Sequence, residues 1–185
     1  VPILKAEPFL YPDDLLDPES EHPTDRRWRV FYTKPRQEKA ICRELLATET
    51  PYFLPVERKR SRKRGRITCS SVPLFVGYVF AYGTEEERVR AVTTNRISRV
   101  LDVHSPDQLV YDLRQLHRLI VSGAPLTIES RFASGRRVRV RCGSLAGVEG
   151  TVLSRRGGTR LLVAVNFLQQ GASVEIEDFL LEPLD

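Results

Sequence analysis

The stretch Val72-Pro73-Leu74-Phe75-Val76-Gly77-Tyr78-Val79-Phe80 decides how the rest of the chain is read. It joins two predicted strands. Residues 67–72 form the first, with Ile67, Cys69 and Ser71 on one face. Gly77-Tyr78-Val79-Phe80-Ala81-Tyr82 forms the second, ended by Gly83. Upstream, Tyr52-Phe53-Leu54-Pro55-Val56 reads as another strand. Between it and residues 67–72 lies the run ERKRSRKRGR, residues 57–66, with seven bases against one acid. That position predicts the tip of a basic hairpin.

Further upstream, Trp28-Arg29-Val30-Phe31-Tyr32-Thr33 is aromatic and β-branched and suits a strand, with Trp28 assigned to the core. Lys34-Pro35-Arg36-Gln37-Glu38 opens a helix: proline is tolerated in a first turn, and Glu38 complements the positive end of the helix dipole. Ile41, Cys42, Leu45 and Leu46 follow at helical spacing. Downstream, Thr84-Glu85-Glu86-Glu87 has capping-box form, and Ser105-Pro106-Asp107-Gln108 repeats it with proline at the first helical position. Leu109, Leu113, Leu116 and Ile120 give the second helix its apolar stripe, and Gly123 suits its C-terminal cap. A strand is expected between the helices at residues 97–103.

The texture changes after this. Residues 127–134 are polar and without period, as a linker is. From Gly135 onward, Arg137-Val138-Arg139-Val140-Arg141 alternates as a half-buried strand does. Gly147-Val148-Glu149-Gly150 reads as a turn and Gly157-Gly158 as a hairpin turn. Short strands are expected at 151–154, 161–167 and 173–176, which predicts a small all-β barrel. The glycines at 135, 143, 147 and 150 argue against helix there. The predicted fold class is α+β. A flexible acidic leader spans 1–26, a domain of antiparallel sheet with flanking helices 27–124, a linker 125–134, and the barrel 135–185.

Composition narrows the function. The net charge is +5, but it is unevenly spread: residues 1–25 carry seven acids against Lys5 alone, while the basic run is one local cluster. This favours a contact surface for an anionic partner over a general nucleic-acid coat. Cys42, Cys69 and Cys142 are too few and too dispersed for a disulfide framework or a zinc site. No apolar run suits a membrane span and no signal peptide is legible, so a cytoplasmic protein is expected. His22, His104 and His117 stand alone, and no GxSxG, P-loop or HExxH motif occurs. The chain therefore reads as a binding protein, not an enzyme, with no metal and no cofactor.

The opening stretch resembles the hallmark of the NusG N-terminal domain (NGN): an apolar pair, proline, glycine, tyrosine and an apolar strand. Trp28-Arg29-Val30-Phe31-Tyr32 is similar to that family's first strand. Gly147-Val148-Glu149-Gly150-Thr151-Val152, preceded by Arg137-Val138-Arg139-Val140, resembles a KOW motif. The three occur in family order and span residues 27–185. Val76 departs from the pattern, standing where proline is usual. Thr33-Lys34-Pro35-Arg36-Gln37-Glu38 looks more like the specialised antitermination paralogues than the housekeeping factor.

The resemblance implies an NGN-like domain and an SH3-like KOW barrel. It implies a transcription elongation or antitermination factor that binds the clamp helices of RNA polymerase and suppresses pausing or termination. Polymerase contact is expected at Phe75, Gly77, Tyr78 and Phe80, with Phe53 and Pro55 in the same patch; core burial is the rival reading for the aromatics, because Tyr78 and Phe80 share one strand face. Arg58, Arg60, Arg62, Lys63 and Arg64 are expected to meet DNA or nascent RNA through phosphates, against the rival of a solvated hairpin tip. Phe167 and Leu168 would serve a second partner of the KOW domain, such as a termination factor or a ribosomal protein. The alternative function is a ribosome-associated or RNA-binding KOW protein, which would lack the N-terminal domain.

Overall fold

Val30 and Phe31 show why the first half forms a sheet buried on both faces: they are neighbours on one strand, point opposite ways, and are both interior. The computed structural model describes residues 7–20, 23–63, 65–130 and 135–184. The chain divides into two compact units, residues 1–104 and 105–185.

In the first unit the elements are β1 (Leu10–Tyr11), β2 (Arg27–Thr33), α1 (Glu38–Ala47), β3 (Tyr52–Phe53), β4 (Val56–Lys63), β5 (Arg66–Pro73), β6 (Tyr78–Gly83), α2 (Glu85–Thr93) and β7 (Ile97–Asp102). A five-stranded antiparallel sheet has the order β1-β3-β6-β2-β7, and among the described residues β4 and β5 pair only with each other. One face of the sheet presents Phe31, Val79 and Ala81 to Ile41, Cys42 and Leu45 of α1 in the main core. The other carries Trp28, Val30 and Tyr32 on β2 opposite Tyr82, Phe80 and Tyr78 on β6.

The α2 capping box forms as expected: Thr84 Oγ1 accepts from Glu87 N–H, and Glu87 accepts from Thr84 N–H at 2.8 Å. Arg26 holds that carboxylate from the other side with two hydrogen bonds of 3.0 Å.

Two expectations for this unit are corrected. Residues 7–20 of the supposed flexible leader are structured. β1 pairs with β3, Leu15 and Leu16 are buried, Tyr52 Oη donates to the Pro8 carbonyl at 2.7 Å, and Glu7 pairs with Arg43. Apolar residues at positions 9–11 and 15–16 anchor the segment despite its acidic average. The basic run, in turn, is not confined to a hairpin tip. It forms most of β4, in register with β5 from Val56↔Pro73 to Lys63↔Arg66.

The second unit contains α3 (Pro106–Val121), β8 (Thr127–Glu129), β9 (Arg137–Val140), β10 (Glu149–Arg155), β11 (Gly158–Val165), β12 (Gln170–Glu175) and β13 (Leu181–Pro183), with 3₁₀ turns at Asn166–Leu168 and Asp178–Leu180. Its six strands are ordered β13-β9-β10-β11-β12-β8, all antiparallel. Among the described residues the edge strands β13 and β8 do not pair, so the sheet is not a closed barrel. Val138, Val140, Leu153, Leu161, Val163 and Val174 build its core. A Cβ at Gly150 would lie 2.4 Å from the Leu162 carbonyl oxygen, so the close approach of β10 and β11 requires glycine there.

Helix α3 packs on β11 of this unit, whereas the sequence pattern assigned it to residues 27–124. Its N-terminus lacks the expected capping box: Ser105, at φ −125° and ψ 76°, makes no side-chain cap, and the Gln108 side chain turns along the helix, its Nε2 donating to Asp112 Oδ1 at 2.8 Å. Gly123 takes the positive φ expected of a residue ending a helix. Part of the supposed linker is strand: Ile128 pairs with Ala172, and Glu129 accepts from Arg155 and Ser173. Residues 131–134 lie outside the described residues.

Candidate functional site

Gly77 ties three elements together. Its N–H donates to Glu38 Oε1 at 2.8 Å, at the first turn of α1, and its carbonyl accepts from Thr33 N–H at the end of β2 at 2.8 Å. Tyr78 N–H closes the turn on the Phe75 carbonyl at 3.2 Å. Gly77 has φ +86°, and a Cβ there would stand 3.0 Å from the Tyr32 ring, so both conformation and space select glycine. The turn lifts Val76 into solvent, 73% exposed, while Phe75 turns inward at 1%.

Beside the turn, Tyr32 and Tyr78 are cross-strand partners with ring centroids 5.2 Å apart. Tyr32 is 40% exposed and Tyr78 half-buried. The sheet face that holds Val30 and Phe80 in the interior thus opens to solvent at its end. Of the residues expected to contact a partner, Phe53, Pro55, Phe75 and Phe80 are buried and Gly77 serves through its backbone. Tyr78 alone among them presents a partly open side chain. Tyr78 and Phe80 do share a face, but a shared face does not mean shared burial, because the strand runs from the interior to the sheet's end. Tyr32 and Val76 complete the exposed patch. The sequence reading quoted both residues without assigning them to it. The signal was the alternation that sets Tyr32 opposite Tyr78.

The second feature is the β4–β5 ribbon. Arg58, Arg60 and Arg62 are exposed and make no ion pair among the described residues. Their register partners are Ser71, Cys69 and Ile67. Cys69 is exposed, and so is Ile67, at 70%. Lys59 reaches Glu57 at 3.7 Å. Arg64 lies outside the described residues, and Lys63 is described only as a strand residue.

In the second unit, Phe167 and Leu168 are half-buried on the 3₁₀ turn after β11. The turn is held from α3: Asp112 accepts from Asn166 N–H at 2.8 Å and from Asn166 Nδ2 at 3.1 Å. Burial pushes the Asp112 carboxyl above its usual range. Next to it, Tyr111 donates to Glu149, and Arg139 Nε donates to the same carboxylate at 2.9 Å. The Tyr111 hydrogen bond, and then Arg139, hold Glu149 below the usual carboxylate range, while burial raises Tyr111. Tyr111, Asp112, Glu149 and Asn166 line a cleft of about 500 Å³. Among the described residues, no group of three His, Cys, Asp or Glu could hold a metal. No helix among them is long and apolar enough to cross a membrane.

The model of the family described as transcription termination factor nusG matches residues 26–115. Over these residues the chain is similar to the NusG family. None of the curated proteins matches the chain. Among solved structures, one described as domain interaction in Thermotoga maritima NusG aligns at 16% identity with a TM-score of 0.48, covering 86% of this chain and 98% of that one.

The NusG match starts at Arg26, just before β2, and ends at Gln115 within α3. It therefore contains the Tyr32–Val76–Tyr78 patch and the whole ribbon. The six-stranded sheet lies beyond it. Within the matched span, Gly77 and Glu38 form the scaffold of the patch rather than its surface.

Proposed function

We propose that this chain is a NusG-family transcription elongation or antitermination factor that binds the clamp helices of RNA polymerase through Tyr32, Val76 and Tyr78. The observation that carries this reading is an open aromatic and apolar patch at the end of an otherwise buried sheet face, within the span that matches the family. Aromatic side chains on a rigid strand lose little entropy on docking and supply most of the energy of such contacts. Phe53, Pro55, Phe75 and Phe80 act beneath the patch as its foundation, and Gly77 sets its curvature.

The factor works by binding, not by chemistry. Its basic ribbon faces nucleic acid of the elongation complex, and its second unit is the KOW domain, which recruits a further partner through Phe167 and Leu168. The domain division proposed at residues 125–134 then becomes a division nearer residue 105.

The test is binding to core RNA polymerase. A Tyr32→Ala, Tyr78→Ala double variant should keep its far-ultraviolet circular dichroism and bind about 10²- to 10³-fold more weakly, at roughly 2 kcal/mol per lost hot-spot aromatic. Binding equal to wild type would overturn the assignment. Phe75→Ala is unsuited to this test, since emptying a buried phenylalanine site costs about 3–5 kcal/mol of stability.

A further inference from the structure

Strand β8 lies at one edge of the six-stranded sheet and takes almost nothing from its core. Thr127 and Ile128 are exposed and Glu129 is half-buried; Ile128, the apolar member, is 41% exposed. Its register partners on β12 are small: Glu129 stands opposite Gly171, Ile128 opposite Ala172 and Thr127 opposite Ser173. Removing β8 therefore uncovers little apolar surface. The other edge of the sheet differs. There β13 sets Leu181 beside Val140 and Pro183 beside Val138, and both valines are buried.

Beyond its ladder, β8 is held by polar groups. Glu129 accepts from the Ser173 hydroxyl at 2.7 Å and from Arg155 at 3.0 Å, and Arg160 Nη2 donates to Thr127 Oγ1 at 2.9 Å. The β12 side of this clasp has a network of its own. Arg160 Nε donates to Ser173 Oγ at 2.9 Å, Nη2 donates to the Ser173 carbonyl at 3.0 Å, and Nη1 meets Glu175 at 3.3 Å. When β8 leaves, these groups stay bonded to one another and water takes up the rest. The Arg155 side chain is 54% exposed, so its pair with Glu129 is open to screening by salt.

We propose that β8 is a releasable strap, held shut by the Glu129 clasp, that opens while α3 and strands β9 to β13 stay in place. Its release changes the tether between α3 and the sheet. With β8 seated, residues 122–126 make that connection; with β8 released, residues 122–136 make it. Ionic strength sets how often the strap opens. An element with few buried apolar contacts opens far more readily than the core it rests on. The strap lies outside the span that matches NusG, and its test needs no polymerase.

The test is residue-resolved amide exchange on the full chain. The ladder amides within Thr127–Glu129 should open at least about 100-fold more often than those of residues 161–165 in β11. Their opening should rise about two- to five-fold as salt goes from about 0.01 M to about 1 M, as for a half-exposed ion pair. Arg155→Gln should raise opening by a similar factor and remove most of the salt response. Glu129→Ala, which loses both anchors, should raise it about ten-fold or more, with exchange over α3 and β11 unchanged. Ile128 and Ala172 are directly opposite and share a face, so Ile128→Cys with Ala172→Cys can be bridged. In a Cys69→Ser, Cys142→Ser background, the oxidised pair should show no salt response in β8, and reduction should restore it.

The proposal is overturned if Thr127–Glu129 exchange no faster than residues 161–165, which would make β8 part of the core unit. It is overturned equally if salt leaves wild type unaffected, if Arg155→Gln keeps the full salt response, or if the oxidised pair responds as wild type does. Loss of protection over α3 or β11 in Arg155→Gln also overturns it, because the strap would then not open by itself.

Discussion

Two strands of this molecule alternate with arginine and put the alternation to opposite use. In β9, Arg137 and Arg139 alternate with Val138 and Val140; the valines lie in the core, and the arginines close on Glu149 and Glu182. In β4, Arg58, Arg60 and Arg62 alternate with Lys59 and Ser61, neither set is buried, and the arginines meet no carboxylate among the described residues. The same period of two therefore identifies a strand in both places and says nothing about what its charges are for. The intervening residue and the opposing acid decide that. Where the intervening residue is apolar, the strand belongs to a core and its arginines are structural. Where it is polar, the strand stands in solvent and its arginines are available to a partner.

The sharpest way to break this contrast is to place a charge in the β9 core. Val140→Asp puts a carboxylate at a position 1% exposed, with an expected loss of about 4 kcal/mol. Amide hydrogen exchange over residues 138–163 should lose protection. Emission from Trp28, the sole tryptophan, should stay native, since it reports on the first unit. If the Trp28 signal collapses as well, the two units do not hold their folds independently.

A smaller effect is expected at the arginine side of β9. Glu149→Gln keeps the shape but removes the charge that Arg139 and Tyr111 engage, for a loss of about 1–2 kcal/mol near pH 6. The pH dependence gives a second reading. A depressed carboxyl stabilises the fold above its unfolded value, near pH 4.5, and that contribution disappears as pH falls through the folded value. Wild type and Glu149→Gln should therefore converge in denaturant midpoint at acid pH. Asp112 works in the opposite sense: with its carboxyl raised by burial, the fold gains stability as pH drops through the folded value. Both proteins retain Asp112, so the difference between them isolates Glu149.

The smallest effect belongs to β4. Replacing Arg58, Arg60 and Arg62 with serine should change stability by no more than about 0.5 kcal/mol, because those side chains are exposed and make no ion pair among the described residues. Urea midpoints within error of wild type would confirm that the row is free for binding. A loss comparable to that of Glu149→Gln would make it structural after all and erase the contrast.

The sequence carried the strands and helices of the first unit well. Residues 28–33 and 78–83 formed strands as read; the helix formed over Glu38–Ala47, but its expected opening at Lys34-Pro35-Arg36 is a turn instead, with Arg36 at φ 63°. Thr84 and Glu87 lie only three residues apart, and their cap formed as read. Long-range partners were harder. Gln108 stood, on sequence grounds, where it could close a box with Ser105, but its side chain turned along the helix toward Asp112 one turn away. Leu15 and Leu16 were hidden inside an acidic average. At the candidate site, the glycine and tyrosine of the opening stretch were legible, while the depth of Phe75 and Phe80 was not. Alternation assigns a side chain to a face, but it does not say how far along the strand that face remains covered.

One consequence concerns how the protein can be shortened. Residues 7–20 resemble dispensable leader in composition, yet β1 lies along the outer side of β3, and Leu54 N–H donates to the Phe9 carbonyl at 2.7 Å. Trimming the chain to begin at residue 24 would strip hydrogen-bonding partners from Tyr52 and Phe53 and leave a raw sheet margin beside newly bared apolar surface. Such a margin is a template for another molecule of the same kind. The trimmed protein would then carry a new self-adhesive edge, and its solubility limit, more than its affinity for any partner, would be the property that changes first.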